Sequence, residues 1–225
     1  MTDRLETRWL AGIAIALAAI AISFEAAAAD LLPAPPPPSP GAPAPPPPIV
    51  AAPVSNGYDP YRYEIRFGAF AHGVGGVEKG TYDLSPELIL PRLPFGQTEW
   101  WSILVPRPHA GALLNLEGRT SAVYVGALWS FPLPRRFFAE FFLDGADHNG
   151  YLTNPPPGRS SLGCPFLFHV GGSAGYSFDQ HWNVTFTFDH LSNGKHVFGV
   201  ECSGLGSNSP NPGLNNYGAR LGYAF

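Results

Sequence analysis

The sequence predicts an all-β protein, an eight-stranded antiparallel transmembrane β-barrel of the bacterial outer membrane. Three observations predict this fold. Segments of roughly 9–12 residues alternate apolar and polar side chains, which are the length and the period of a tilted membrane strand. No apolar run in residues 58–225 approaches the ~18 residues that indicate a membrane helix. Only 13% of the 225 residues are charged, about half the share found in soluble domains.

The composition excludes several kinds of partner and site. The formal net charge is −4, from 13 Lys+Arg against 17 Asp+Glu, and only two residues, Lys79 and Lys195, are lysines. Such a chain lacks the basic patch that a nucleic-acid backbone requires, so we expect no nucleic-acid partner. Two cysteines cannot by themselves complete a four-ligand structural zinc site or an iron–sulfur cluster.

Residues 1–29 are predicted to be a cleaved signal peptide. Arg4 and Arg8 provide a positive start, Leu10–Phe24 form a short apolar stretch, and Ala27–Ala29 supply the small residues of a cleavage site. A membrane-anchoring helix is the alternative, but the apolar stretch is shorter than the ~20 residues that a span requires. We therefore expect an exported protein.

Residues 30–57 are predicted to form a Pro-rich periplasmic tether ahead of a barrel at 58–225. Eleven prolines lie between Leu31 and Val50. Such a tract favours the extended polyproline II conformation and cannot pack a core, so it is typical of a semi-rigid spacer. A ligand for a proline-recognition module is the alternative.

Eight segments alternate with a period of two residues, which predicts eight strands. The third segment shows the weakest alternation. The predicted strands are Tyr63–His72, Thr81–Leu90, Pro108–Leu116, Ser121–Phe131, Phe137–Gly145, Phe166–Phe178, Trp182–Asn193 and Asn216–Phe225.

The polarity of the two faces distinguishes a membrane barrel from a soluble one. The polar faces carry many charged residues: Glu64, Arg66, Asp83, Glu87, Glu140 and Arg220. The apolar faces are aromatic and aliphatic, as expected for side chains that contact lipid around a polar lumen. The aromatic C-terminus at Leu221–Phe225 is also typical of a closing outer-membrane strand. A soluble lipocalin-like barrel is the alternative.

The connections fit a barrel whose N-terminus is periplasmic. The long segments Asp147–Pro165 and Gly194–Leu214 then face outward, and the short turns Pro132–Arg136 and Asp179–His181 face the periplasm. The stretch Pro91–Arg107 is too long for a periplasmic turn, so it predicts a plug or a local structure.

The two cysteines fall in the two long outer segments. Cys164 and Cys202 therefore lie on the same side of the membrane, in an oxidising compartment. This placement predicts a disulfide between them, with two unpaired thiols as the alternative.

Strand seven places a histidine and a serine on the lipid-facing side. His190 and Ser192 share the parity of the apolar residues Trp182, Val184, Phe186 and Phe188, while Asn183, Thr185, Thr187 and Asp189 have the lumen parity. The Cα atoms of residues i and i+2 are roughly 6.6 Å apart in a strand, so an imidazole can reach a neighbouring hydroxyl and act as its base. The alternative is that the strand has left the bilayer by Phe188 and that both are ordinary rim residues.

A second serine motif is not expected to be functional. Residues 171–175 satisfy the pattern G-x-S-x-G, which indicates a nucleophile only at a strand-to-helix turn. Ser173 instead lies within a predicted strand, on its lumen side.

The C-terminal motifs resemble those of one enzyme family. His190-Leu191-Ser192-Asn193, followed by Asn-Pro-Gly-Leu-Asn-Asn at 211–216 and the closing strand, resemble the lipid A 3-O-deacylase (PagL) family, also described as acyloxyacyl hydrolases. The likeness extends from about Tyr63 and is most specific in the C-terminal motifs. It implies an outer-membrane hydrolase that modifies lipopolysaccharide by removing the 3-linked hydroxyacyl chain of lipid A, without a metal or cofactor.

The resemblance also implies residue roles. Ser192 would be the nucleophile and His190 its base, while Asn211 would help to bind the oxyanion. Asn193 is a weaker candidate for the same site. The chain departs from the family at the third triad member, because the position of the family's glutamate holds Asn215.

This departure leaves two candidates for the residue that bonds the His190 imidazole. It also leaves two alternative functions. An amide such as Asn215 can orient a histidine tautomer but stabilises an imidazolium less than a carboxylate does. Glu201, beside Cys202, is the alternative partner. A non-catalytic barrel that binds or stabilises the envelope is the alternative to an esterase.

Overall fold

A computed structural model describes residues 57–96, 99–194, 202 and 212–225. The predicted signal peptide, and the predicted tether except for residue 57, lie outside these residues. All eight predicted strands are present, and they form a closed antiparallel barrel in chain order in which the last strand pairs with the first. The strands are β1 (Glu64–His72), β2 (Thr81–Ile89), β3 (Arg107–Asn115), β4 (Ala122–Pro132), β5 (Phe137–His148), β6 (Phe166–Ser177), β7 (Trp182–Ser192) and β8 (Leu214–Ala224).

Two strands are longer than predicted at their outer ends. β5 continues three residues beyond Gly145 to His148, because Ala146 and His148 face inward and are buried. β8 begins at Leu214, which is buried opposite Leu191 of β7. Within the described residues, no helix is long and apolar enough to cross a bilayer.

The barrel is polar inside and apolar outside. In the lumen, the Arg66 guanidinium bonds both oxygens of the Glu140 carboxylate at 2.7 and 2.8 Å and Glu64 Oε1 at 2.6 Å. On the outer face, Ile65 and Phe67 are more than half exposed. A soluble barrel would reverse this arrangement, so the lipocalin-like alternative is wrong. The protein is a transmembrane barrel of the outer-membrane type.

A tyrosine that follows directly on the predicted tether packs inside the periplasmic end of the barrel. Tyr58 is buried, and its ring stacks on that of the lumen residue Phe138 with centroids 4.2 Å apart. The Tyr58 hydroxyl donates to Glu140 Oε1 at 3.3 Å and accepts from Arg107 Nη1 at 3.0 Å. The chain is therefore fixed to the barrel wall where the predicted tether ends.

At the outer end, one carboxylate joins three loops. Glu78, in the β1–β2 loop, accepts the backbone N–H of Thr120 at 2.9 Å and that of Ser160 at 2.7 Å. Burial alone would raise the pKa of Glu78, but its hydrogen bonds to His72, Ser160 and Thr120 outweigh burial and lower the pKa to about 2. Ionised Glu78 thus connects the β1–β2, β3–β4 and β5–β6 loops.

The segment between β2 and β3 contains a short 3₁₀ helix, Trp100–Leu104. The indole N–H of Trp129 donates to the carbonyl of Leu104 at 2.8 Å. Trp129 lies on the outward face of β4, between the buried residues Leu128 and Ser130. The helix therefore packs on the outside of the barrel. A local structure is confirmed here, and a plug is the wrong interpretation for this helix.

Candidate active site

The centre of the candidate site is a hydrogen bond between β7 and β8. His190 and Asn215 are paired in the antiparallel register, and both are half-buried on the outer side of the barrel. The Nδ1 atom of His190 lies 2.7 Å from Asn215 Oδ1. Of the two alternatives for the residue behind His190, Asn215 is therefore in contact with the imidazole, whereas Glu201 lies outside the described residues.

This bond determines the tautomer of the neutral imidazole. An amide oxygen can only accept a hydrogen bond, so His190 Nδ1 must carry the proton that it donates to Asn215. In a neutral histidine, Nε2 is then the atom with a free lone pair. A general base for a serine hydroxyl requires this tautomer.

Gly213 lies against the other edge of the same imidazole. Its φ of +65° is in the left-handed region, and a Cβ built on it would lie 2.5 Å from His190 Cε1 and 3.1 Å from Nε2. Any residue other than glycine would therefore strain the backbone and displace the ring. Gly213 and Asn215 together hold the His190 ring from two sides.

Ser192 lies two residues beyond His190 on the same face of β7, as the sequence predicted. The exposure pattern of β7 places both residues outward, with Leu191 buried between them. The Ser192 hydroxyl makes no hydrogen bond to His190 in the described residues. Serine side chains turn readily between rotamers, and catalytic hydrogen bonds are often long in the absence of substrate.

The predicted disulfide between Cys164 and Cys202 is confirmed, with Cα atoms 5.4 Å apart. Cys164 is buried in one apolar cluster with Leu191 and Leu214. Leu191 lies between His190 and Ser192, and Leu214 precedes Asn215. The disulfide thus anchors Cys202, which follows β7 in the chain, to the cluster that supports the candidate site from inside.

The remaining candidates are placed differently. Asn193 is buried and donates from Nδ2 to the carbonyl of Leu162 at 3.3 Å, a contact that holds the β5–β6 loop. Asn211 lies outside the described residues, as does Glu201. Ser173 of the G-x-S-x-G pattern is in the lumen, where its hydroxyl pairs with that of Thr187 at 2.9 Å.

An apolar groove continues from the site along the outside of the barrel. Phe188 and Tyr217, the cross-strand pair next to His190 and Asn215, line its end nearest the site, with their ring centroids 5.0 Å apart. Phe186 lies farther along the groove, and Gly218 and Ala219 line it with little side-chain volume.

The described residues contain no cluster of His, Cys, Asp or Glu that could hold a metal ion.

More than half of the chain matches a known protein family. A sequence model of the family described as lipid A 3-O-deacylase (PagL) matches residues 97–224. The chain belongs to the lipid A 3-O-deacylase (PagL) family. The matched region includes His190, Ser192, Asn211 and Asn215, so the family assignment rests on the part of the chain that carries the candidate site.

Two solved structures are similar to this PagL-family chain over about 70% of its length. The structure of the outer membrane enzyme PagL is 17% identical, covers 71% of this chain and 97% of its own, and has a TM-score of 0.46. The N-terminal β-barrel domain of Pseudomonas aeruginosa OprF is 10% identical, covers 73% and 98%, and has a TM-score of 0.47. No curated protein sequence gives a significant match.

Sequence reasoning missed Gly213 and the groove. Gly213 stands in the Asn-Pro-Gly stretch at 211–213, and a glycine two residues before a site residue is a signal for a close approach of the backbone. The groove has a weaker signal, because its small residues belong to β6 and β8 and its aromatic residues to β7 and β8. Only the register shows that they share one surface.

Proposed function

We propose that this PagL-family chain is an outer-membrane serine esterase that removes an ester-linked 3-hydroxyacyl chain from lipid A. One observation carries the proposal: His190 Nδ1 is bonded to Asn215 Oδ1, which leaves His190 Nε2 as a base on the face that bears Ser192. Membership of the lipid A 3-O-deacylase family supports the substrate class.

The position of the site supports a lipid substrate. His190 and Ser192 lie near the outer end of β7, on the side of the barrel that faces the bilayer. In an outer membrane this is the level of the outer leaflet, which contains lipopolysaccharide. The apolar groove lined by Phe186, Phe188 and Tyr217 extends from beside the site along the lipid-facing wall of the barrel, where an acyl chain would lie.

The reaction is an acyl transfer in two steps. The Ser192 hydroxyl oxygen attacks the ester carbonyl while His190 Nε2 takes its proton. The tetrahedral intermediate collapses, and the imidazolium returns the proton to the leaving sugar hydroxyl, which leaves an acyl-Ser192 ester. Water then attacks this ester with His190 again as base, and the hydroxy fatty acid is released.

Asn215 takes the place of the carboxylate in this reaction. Its amide oxygen fixes the tautomer of His190 but carries no negative charge, so it stabilises the imidazolium less than a glutamate would. We therefore propose an active enzyme with a lower kcat than one with a carboxylate at this position. Asn211 is proposed to bind the oxyanion, and residues 1–29 to direct export and be cleaved.

The test is a mass spectrum of lipid A from cells that express the chain, compared with two serine variants. Ser192→Ala removes the proposed nucleophile, and Ser173→Ala is the matched control because Ser173 lies in the lumen. We expect the loss of one hydroxyacyl mass with the unmutated chain and with Ser173→Ala, but not with Ser192→Ala. Unchanged lipid A, with the barrel inserted, would favour the non-catalytic envelope barrel.

A further inference from the structure

We propose that residues 93–96 and 99–104, between β2 and β3 and called the anchor segment below, form a membrane-interface anchor that contacts phospholipids of the periplasmic leaflet. This inference is independent of the esterase chemistry. It concerns the opposite end of the barrel and depends on the exposure and the packing of the anchor segment alone.

The first observation is the exposure of large apolar side chains. Trp100 is 82% exposed, Phe95 61% and Leu104 57%. The anchor segment contains a single charged residue, Glu99. A cluster of this kind is costly in water and typical of a surface that contacts a lipid or a protein.

The second observation is that the 3₁₀ helix packs beside the lipid-facing surface of the barrel, which favours lipid over a protein partner. The 3₁₀ helix is joined to β4 by the bond from Trp129 Nε1 to the Leu104 carbonyl. Trp129 is on the outward side of β4 near its periplasmic end, where its ring lies 5.9 Å from that of the outward residue Phe141. The helix therefore continues the lipid-facing surface of the barrel, and its exposed side chains lie beside that surface.

The anchor segment holds this position through its own backbone. The N–H of Glu99 donates to the carbonyl of Gly96 at 2.8 Å, that of Ser102 to Glu99 at 3.0 Å and that of Val105 to Ser102 at 3.1 Å. The ring of Trp101 covers Gly96 so closely that a Cβ there would clash with it. These contacts fix the positions of Gly96 and of the 3₁₀ helix relative to each other.

The chemistry of the side chains fits the boundary between headgroups and acyl chains. Tryptophan is enriched there because its ring is apolar while its N–H can bond a polar group. Phe95 and Leu104 can enter the acyl region, and Glu99 can remain in water among the headgroups. The anchor would fix the depth of the barrel wall formed by β3 and β4.

The test is tryptophan quenching by brominated phosphatidylcholine in vesicles that contain the full-length barrel. Insertion is first verified by flotation with the vesicles. The emission of Trp100 is the difference between the unmutated protein and Trp100→Phe. Trp182, the outward first residue of β7 at the periplasmic end, is 44% exposed and is measured in the same way with Trp182→Phe as the lipid-facing standard.

We expect bromine near the headgroups to quench Trp100 more strongly than bromine at the bilayer centre, and to at least about half the extent seen for Trp182. Shallow bromines that quench Trp100 to less than about half the extent seen for Trp182 would overturn the proposal. That result would place the anchor segment in the aqueous periplasm, where its apolar side chains would be available to a protein partner.

Discussion

His190 and Asn215 face each other across β7 and β8, with Nδ1 of the imidazole 2.7 Å from the amide oxygen. This contact gives an asparagine the orienting task that the resemblance assigns to a glutamate. It fixes the tautomer of the imidazole without adding negative charge. The pair therefore orients the imidazole but provides no charge to stabilise an imidazolium.

The charge at position 215 should control the rate. Asn215→Glu is expected to raise kcat about 10-fold, because a carboxylate stabilises the imidazolium, and Asn215→Ala to lower it at least about 10-fold by releasing the tautomer. Single-turnover release of hydroxy fatty acid from purified lipid A measures both. Equal rates for the three proteins would show that residue 215 has no role in the reaction.

Gly213 should be required for the position of the His190 ring. Gly213→Ala is expected to lower kcat about 10- to 100-fold, since a Cβ would displace the imidazole. The matched control is Gly75→Ala, because Gly75 also has a positive φ, of +80°, but has no atom within 4 Å of an added Cβ. The control should lose about 1 kcal/mol of stability and keep its kcat. A fall in kcat as large for Gly75→Ala would attribute the effect to backbone strain alone.

The disulfide should stabilise the outer end of the barrel. Replacing both Cys164 and Cys202 with alanine is expected to lower the free energy of unfolding by about 2–4 kcal/mol, because the bond closes a loop with a sequence separation of 38. Urea unfolding in micelles, with and without reductant, measures the change. Reductant should destabilise the unmutated protein and leave the double variant unaffected; a loss in both would exclude the disulfide as its cause.

Glu78 should make the outer loops sensitive to acid. Its pKa falls from the ordinary 4.5 to about 2 in the folded protein, so its stabilisation is complete above pH 4.5 and is lost as the pH falls through 2. Glu78→Gln should lower the free energy of unfolding at neutral pH by about 1–3 kcal/mol. It should also weaken the dependence of that free energy on pH between these two pH values. Urea unfolding across this range tests it.

The control for Glu78 is Glu117→Gln, at an exposed position of the β3–β4 loop. It should keep both the stability and the pH dependence of the unmutated protein. An unchanged pH dependence in Glu78→Gln would show that other carboxylates cause the acid sensitivity.

The period of two residues was sufficient to predict the barrel and the face of each key side chain. It placed His190 and Ser192 outward and Asp189 inward. These are local properties, because successive side chains of a strand point to opposite faces wherever the strand lies.

The tertiary structure decided which groups meet. That Asn215 contacts His190 depends on the register of β7 and β8, and a shift of one residue would turn Asn215 to the other face. The approach of Gly213 to the ring, the three loops joined by Glu78 and the packing of the 3₁₀ helix on Trp129 likewise depend on residues distant in the chain. A pattern within one strand does not encode such contacts, since they form only when the barrel closes.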